Sequence, residues 1–193
     1  MPTGIAIRDA REQLFDAAER ILLRDGVNAL TSRAVTTEAG VAKGVLHRHF
    51  EDFDAFLADL VLDRTSRIEA RSRALCEAAG TGDVVGNLAA ALSDLFGTIA
   101  LRIVGLVIAR DALRARLREA RGGGVPVLRE AAAMVAGYLT AERDLGRVQA
   151  DADVDLLAPT LIGAAHLLFA DAEGAPPGDA EVRRVVAAVV PVG

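Results

Sequence analysis

The stretch from Leu30 to Phe50, LTSRAVTTEAGVAKGVLHRHF, constrains the fold more than any other part of the chain. It parses as two short helices around one tight turn. Thr31 is a candidate N-cap, because its hydroxyl can accept from a first-turn backbone N–H that has no partner within the helix. Leu30 and Val35 flank that cap at hydrophobic-staple spacing. Ala34, the third residue after Thr31, excludes a full capping box. The first helix should reach about Ala39, where Gly40 supplies the positive φ that a sharp stop needs. Val41 then plugs the turn, and a second helix opens near Ala42. Val35, Ala39, Val41, Leu46 and Phe50 can close one small core. Thr36, Thr37, Lys43, Gly44, Val45, His47 and Arg48 are left facing outward.

This is the spacing of a helix-turn-helix, whose second helix enters the DNA major groove. The outward face has matching chemistry: Lys43 seeks phosphate, His47 and Arg48 can donate to phosphates or base edges, and Val45 offers an apolar surface to a thymine methyl. A plainer reading is a buried helical hairpin with no DNA role. The helix–Gly–helix pattern by itself leaves both readings open.

The segment resembles the DNA-binding motif of the tetracycline-repressor (TetR) family of transcription regulators. That motif reads Thr-x-x-x-Ile-Ala-x-x-Ala-Gly-Val-Ser-x-Gly-x-Leu-Tyr-x-His-Phe, and Thr31, Val35, Ala39, Gly40, Val41, Gly44, Leu46, His49 and Phe50 fall on it. Thr36 stands for the usual Ala, Ala42 for the Ser or Thr that starts the recognition helix, and His47 for the usual Tyr. Three residues after Phe50 the family has a phosphate-contacting Lys, where this chain has Phe53. The resemblance covers about the first quarter of the chain. It implies DNA contacts from Thr31, Ser32, Arg33, Thr36, Ala42, Lys43, Gly44, Val45, His47 and Arg48.

Composition bears on the rest. Hydrophobic residues make up 52% and aromatics 4%, with no Trp, so packing rests on Leu, Val, Ile and Ala. An Ala-, Leu- and Arg-rich chain with few β-branched runs points to an all-α protein. The net charge of −5 is unevenly divided: residues 1–50 hold seven Lys/Arg against six Asp/Glu, and residues 51–193 hold fifteen against twenty-one. The acidic excess thus lies away from the expected DNA face. Lys43 is the sole lysine. One cysteine, Cys76, excludes an internal disulfide or a thiolate metal cluster and fits a reducing cytoplasm; it reads as a small hydrophobe on a helix. The start MPTGIAIRDAREQ is charged and amphipathic, unlike a signal peptide. The longest apolar stretch, Leu88 to Ala109, contains Asp94 and Arg102, each costing roughly 2.5–3.5 kcal/mol at a bilayer centre. A buried helix pair is therefore expected there and a membrane span is not.

The periodicities give a helix from about Ile7 to Asp25, ended by Gly26, with Leu14, Ala18, Ile21 and Leu22 inward. Arg8 and Arg11 near its start could reach a phosphate or simply be solvated. Asp52 caps a long helix through about Ala79, closed by Gly80 and spanning about 40 Å. Further helices follow from Val84, through Ile103–Ile108, and through a segment with Arg110, Arg114, Arg118 and Arg121 in one stripe. That stripe is either a solvated face or an anion or second nucleic-acid contact. Gly122, Gly123 and Gly124 are a candidate hinge. Pro126 opens a helix to about Glu142. Asp151 or Asp153 caps a helix through Phe169 that Pro159 should kink, and a last helix carries Val182, Val185, Val186 and Val189.

The expected fold is all-α with about nine to ten helices. A three-helix helix-turn-helix head, residues 7–52, is joined by a long helix to a ligand-binding and dimerisation body, residues 53–193. The resemblance implies that the linking helix carries an allosteric signal and that the last long helices pair with those of a second subunit. The expected seam is Leu157, Leu161, Ala164, Ala165 and Leu168. A ligand pocket is expected from Leu92, Phe96, Ile99, Ala100, Ile103, Val135 and Tyr138; with few charges there, a mainly apolar small molecule fits. The expected function is a ligand-responsive, cytoplasmic, homodimeric regulator of transcription, most simply a repressor released from a palindromic operator. The alternatives are an all-α protein-binding adaptor and an enzyme. The only histidines are His47, His49 and His166, with no His-x-x-x-His metal spacing and no phosphate-cradling glycine loop, so neither a catalytic residue, a metal nor a cofactor is expected.

Overall fold

The computed structural model describes residues 7–97, 99–121, 125–172 and 175–193, with the side chains of 7–9 and 121 excepted. Ten α-helices lie among the described residues: α1 (Ile7–Arg24), α2 (Ser32–Glu38), α3 (Gly44–His49), α4 (Phe53–Glu77), α5 (Val84–Phe96), α6 (Ala100–Ala109), α7 (Asp111–Arg121), α8 (Leu128–Asp144), α9 (Val154–Ala170) and α10 (Asp179–Val189). A 3₁₀ turn, Val27–Ala29, precedes α2. No strand occurs among these residues; Val148 and Val192 form one isolated antiparallel bridge. The all-α expectation and the helix count are met.

The stop and start chemistry read from the sequence acts as expected. Gly26, Gly40 and Gly80 all have positive φ where a helix has just ended. The Asp52 carboxylate accepts from Ala55 N at 2.7 Å and opens α4. Asp153, one of the two expected caps, accepts from Leu156 N and opens α9; Asp83, not singled out in the sequence, accepts from Val85 N and Gly86 N and opens α5. The expected Gly122–Gly124 hinge and the Arg8 and Arg121 side chains lie outside the described residues.

The chain divides into two compact units: residues 1–62 with 105–123, and residues 63–104 with 124–193. Unit 1 therefore takes in the end of α6 and all of α7 as well as α1, α2, α3 and the first part of α4. Its core contains Leu14, Phe15, Ala18, Ile21, Leu22, Leu30, Val35, Leu46, Phe50 and Phe56, all at most 5% exposed. Phe15, Phe50 and Phe56 form an aromatic cluster, with ring centres 5.1–6.0 Å apart.

In unit 2, α8 packs on α9, and α10 packs on α5 and α9. Buried Leu88, Leu92, Phe96, Met134, Val135, Leu139, Leu161, Ala165, Phe169, Val182 and Val186 fill the space between them. Arg183 of α10 pairs with Asp83, tying α10 to the start of α5 and holding the Asp83 carboxyl below the usual carboxylate range.

Candidate nucleic-acid interface

The motif is assembled by backbone chemistry. Ala34 N donates to Thr31 Oγ1 at 3.1 Å, which confirms Thr31 as the cap of α2. At the other end, Gly40 N donates to Thr37 O and Val41 N to Thr36 O, at 3.1 and 3.0 Å. A Cβ on Gly40 would meet nothing within 4 Å, so its φ of +67° is what requires glycine there. The turn into α3 begins at Ala42, whose carbonyl accepts from Val45 N at 2.9 Å, and no side chain caps α3. Val35 and Leu46 are fully buried and hold the two helices together. Ala39 and Val41, expected in that core, are half-buried.

Of the expected contact residues, Thr31, Arg33, Ala42, Lys43, Gly44, His47 and Arg48 are exposed, and Ser32 and Val45 are half-buried. Thr36 is a correction. It is 3% exposed, and its hydroxyl donates back to Ser32 O and Arg33 O at 3.0 and 3.1 Å. A threonine within a helix can satisfy its hydroxyl on the preceding turn, which turns it away from any DNA face.

The electrostatics separate two kinds of cation in unit 1. Arg20 and Arg24 converge on Glu38, pinning α1 to α2; the Arg20 hydrogen bond first, then Arg24, keeps the Glu38 carboxyl below its usual range. Arg11 pairs with Asp59 at 2.7 Å and sits 4.8 Å from the Phe50 ring centre. In contrast, Arg33, Lys43, His47 and Arg48 have no ion pair or side-chain hydrogen bond among the described residues. Helices α2 and α3 thus present four potential donors without a partner among the described residues.

Phe53, at the position of the expected phosphate-contacting lysine, stacks on Phe56, their planes 18° apart. The Arg110 guanidinium lies 5.3 Å from its ring centre. Arg110 also pairs with Asp54 at 3.1 Å and reaches Leu30 O at 3.5 Å. Arg116 grips both Asp52 oxygens, each at 3.0 Å. Arg114 pairs with its neighbour Asp111, and Arg118 is exposed with no partner among the described residues. The sequence stripe of Arg110, Arg114, Arg118 and Arg121 thus breaks up: its first member is committed to the head, and so is Arg116, which lies off the stripe. Sequence reasoning missed Arg116 because nothing local marks a pairing across 64 residues.

The candidate ligand-site residues all belong to unit 2. Leu92, Phe96, Ile103, Val135 and Tyr138 are at most 1% exposed, Ala100 is 5% exposed, and Ile99 is half-buried. Tyr138 supplies an oriented hydroxyl, but to the protein: it accepts from Asn87 Nδ2 at 2.9 Å and lies beside fully buried Glu142. Burial first, then Glu142, pushes the phenol up to about 12. An open cleft of about 280 Å³ is lined by other residues, among them Arg71, Leu75, Asn87, Asp94 and Met134. His166 packs edge-on against Phe96. On α9, Leu161 and Ala165 are fully buried within the unit, so they are unavailable to a seam in this arrangement; Leu157, Ala164 and Leu168 are half-buried, and Leu156 and Leu167 stand 63% and 61% exposed. The apolar stretch Leu88 to Ala109 falls on α5 and α6, and no single helix among the described residues is long and apolar enough to cross a membrane. No group of three His, Cys, Asp or Glu side chains among the described residues is placed to hold a metal ion.

A helix-turn-helix with an exposed cationic face, set among helices, is the arrangement that helical DNA-binding heads share. Residues 14–60, which contain α2 and α3, match the model of "Bacterial regulatory proteins, tetR family". An uncharacterized HTH-type transcriptional regulator of Haemophilus influenzae is 37% identical over 49 residues, 25% of this chain and 26% of that protein, so the match spans about a quarter of that relative. The fold extends much further. The reduced form of NemR from E. coli superposes with a TM-score of 0.73 at 15% identity, over 95% of this chain and 98% of that one. FadR from Bacillus subtilis, solved with stearoyl-CoA, gives 0.67 at 20% identity, over 93% and 97%. The multidrug-binding protein EbrR, solved with malachite green, gives 0.63 at 22%, over 94% and 98%.

Proposed function

We propose that the protein is a cytoplasmic homodimeric transcriptional repressor that leaves a near-palindromic operator when a small, mainly apolar molecule binds. The observation that carries the DNA role is the cluster Arg33, Lys43, His47 and Arg48, without partners among the described residues, beside Arg11, Arg20 and Arg24, which are all engaged. Lys43 and Arg48 serve phosphates, and His47 and half-buried Val45 reach base edges. Residues 7–52 supply the contact, and residues 53–193 supply ligand binding and assembly. Two heads on a two-fold axis would address half-sites about 34 Å apart or a multiple of that.

The exposed α9 residues Leu156 and Leu167, with Leu157, Ala164 and Leu168 beside them, support dimerisation, since exposed apolar side chains on one helix seek a partner. For the effector, the apolar interior of unit 2 around Leu92, Phe96, Ile99, Ala100, Ile103 and Val135 is the seat, with Tyr138, whose hydroxyl is held by Asn87, at its edge. Stearoyl-CoA and malachite green in related folds support a ligand with a large apolar body. Release follows if the ligand prefers the DNA-incompetent arrangement, and a hundredfold release requires about 2.7 kcal/mol of preference.

The test is selection of a duplex from a random library, followed by titration of Lys43→Ala at several salt concentrations. The salt slope should fall by about one per protomer. Val45→Ser should shift base preference at one position per half-site by roughly 1–3 kcal/mol. An unchanged salt slope removes Lys43 from the interface, and failure to enrich any duplex overturns the DNA role.

A further inference from the structure

Immediately beyond α3 the chain carries three carboxylates, Glu51, Asp52 and Asp54. Asp52 lies three residues past His49, so chain geometry keeps their Cα atoms within about 11 Å. That is about one Debye length at 0.1 M salt, so these carboxylates would repel a phosphate backbone lying on α3. Asp52 cannot simply be absent, because it caps α4 through Ala55 N. The residue between the carboxylates is Phe53, which offers no compensating charge.

The compensation arrives from α7. Arg116 places its guanidinium on both oxygens of Asp52, 3.0 Å each, and 3.9 Å from Glu51. Arg110 takes Asp54 and covers Phe53. We propose that Arg110 and Arg116 are charge-compensating residues of the DNA face, which cancel the acidic turn behind α3 so that α7 sets DNA affinity without touching DNA. The inference rests on the reading of α3 as the DNA-contacting helix.

Both pairs are half-exposed, so each contributes little to stability, while the bidentate fork of Arg116 on Asp52 fixes its charge against that carboxylate. Backbone donation from Ala55, and next Arg116, keeps the Asp52 carboxyl below its usual range, so it is charged at neutral pH and needs the compensation there. A displaced α7 would uncover three negative charges next to the DNA, which makes the contact a natural point of control.

The test separates neutralisation from bracing and from direct phosphate contact. A duplex selected by the unaltered protein is titrated by fluorescence anisotropy at about 50 and 300 mM salt. Arg116→Gln should weaken binding about threefold per head, more at the lower salt, and Asp52→Asn, which retains the cap, should strengthen it by a similar factor. The double variant should return to within about twofold of the unaltered protein. A double variant as weak as Arg116→Gln overturns the proposal in favour of direct phosphate contact. Two single variants that weaken alike overturn it in favour of a brace. Arg116→Lys, which keeps the charge and loses the fork, should bind nearly as the unaltered protein does, and a loss equal to that of Gln also overturns it. If the unaltered protein selects no duplex, the DNA-binding reading falls and takes this inference with it; a selected duplex to which Arg116→Gln binds unchanged sinks this inference alone.

Discussion

Helices α3 and α7 both belong to unit 1 and both carry several cations, yet among the described residues three arginines at and on α7 are paired, leaving Arg118 free, while the cations of α3 are all free. α3 presents Lys43 at its start and His47 and Arg48 in its last turn, all exposed and all without a partner among the described residues. α7 is far richer in arginine, yet Arg110 just before it and Arg114 and Arg116 within it are each paired to a carboxylate. By composition α7 is the better nucleic-acid binder; by available charge α3 is. Charge counts along a sequence therefore mislead until the partners are known, because a paired guanidinium offers a phosphate little that its carboxylate has not already taken.

The largest expected effect tests whether α3 depends on its anchor. Leu46 is fully buried, so Leu46→Ala should cost about 2–5 kcal/mol in urea denaturation. Duplex binding should be lost with it. Leu113 of α7 is equally buried, and Leu113→Ala should cost about the same. A much smaller cost for either would show that the helix is held by its charges instead.

The contrast in cations is sharpened by removing the unpaired ones together. Lys43→Ala with Arg48→Ala should leave the melting temperature nearly unchanged while lowering the salt slope of duplex binding by about two per protomer. An equal fall in slope for Arg114→Ala would break the distinction between the helices.

Gly40→Ala puts a Cβ on a residue at φ +67° with free space around it, so backbone strain alone should cost about 1–2 kcal/mol. A neutral result would mean that the turn relaxes out of the left-handed region.

Unit 2 offers a satisfied polar group for comparison. Burial and Glu142 raise the Tyr138 phenol to about 12, above the ordinary value of about 10. A folded pKa above the unfolded one means that the stabilisation is complete below about pH 10 and is lost as pH rises toward 12. The chain holds one Tyr and one Lys, so few other groups titrate in that window. The melting temperature should fall steeply between those limits, and Tyr138→Phe should flatten the fall. Smallest of all, Arg114→Ala should change stability by less than about 0.5 kcal/mol, since it breaks only an exposed pair with its neighbour Asp111.

Local sequence determined the parts that depend on local physics. Thr31, Asp52, Asp83 and Asp153 cap helices because a short side-chain oxygen reaches the next turn whatever lies around it. Gly26, Gly40 and Gly80 stop helices because only glycine takes positive φ without strain. These signals placed the head and its exposed Lys43, His47 and Arg48 on α3. Which face of an apolar helix turns inward was not legible in the same way. α9 has Leu or Ala on every side, so Leu161 and Ala165 looked like seam residues, and only packing against α5, α8 and α10 turned them inward and left Leu156 and Leu167 outside. Thr36 looked outward by its place in the motif until its hydroxyl found the carbonyls of Ser32 and Arg33. Arg110 and Arg116 look like one solvated arginine run in sequence. Only the tertiary structure brings them to Asp54 and Asp52, because an ion pair between residues 56 and 64 positions apart depends on how the chain returns and leaves no mark on either neighbourhood.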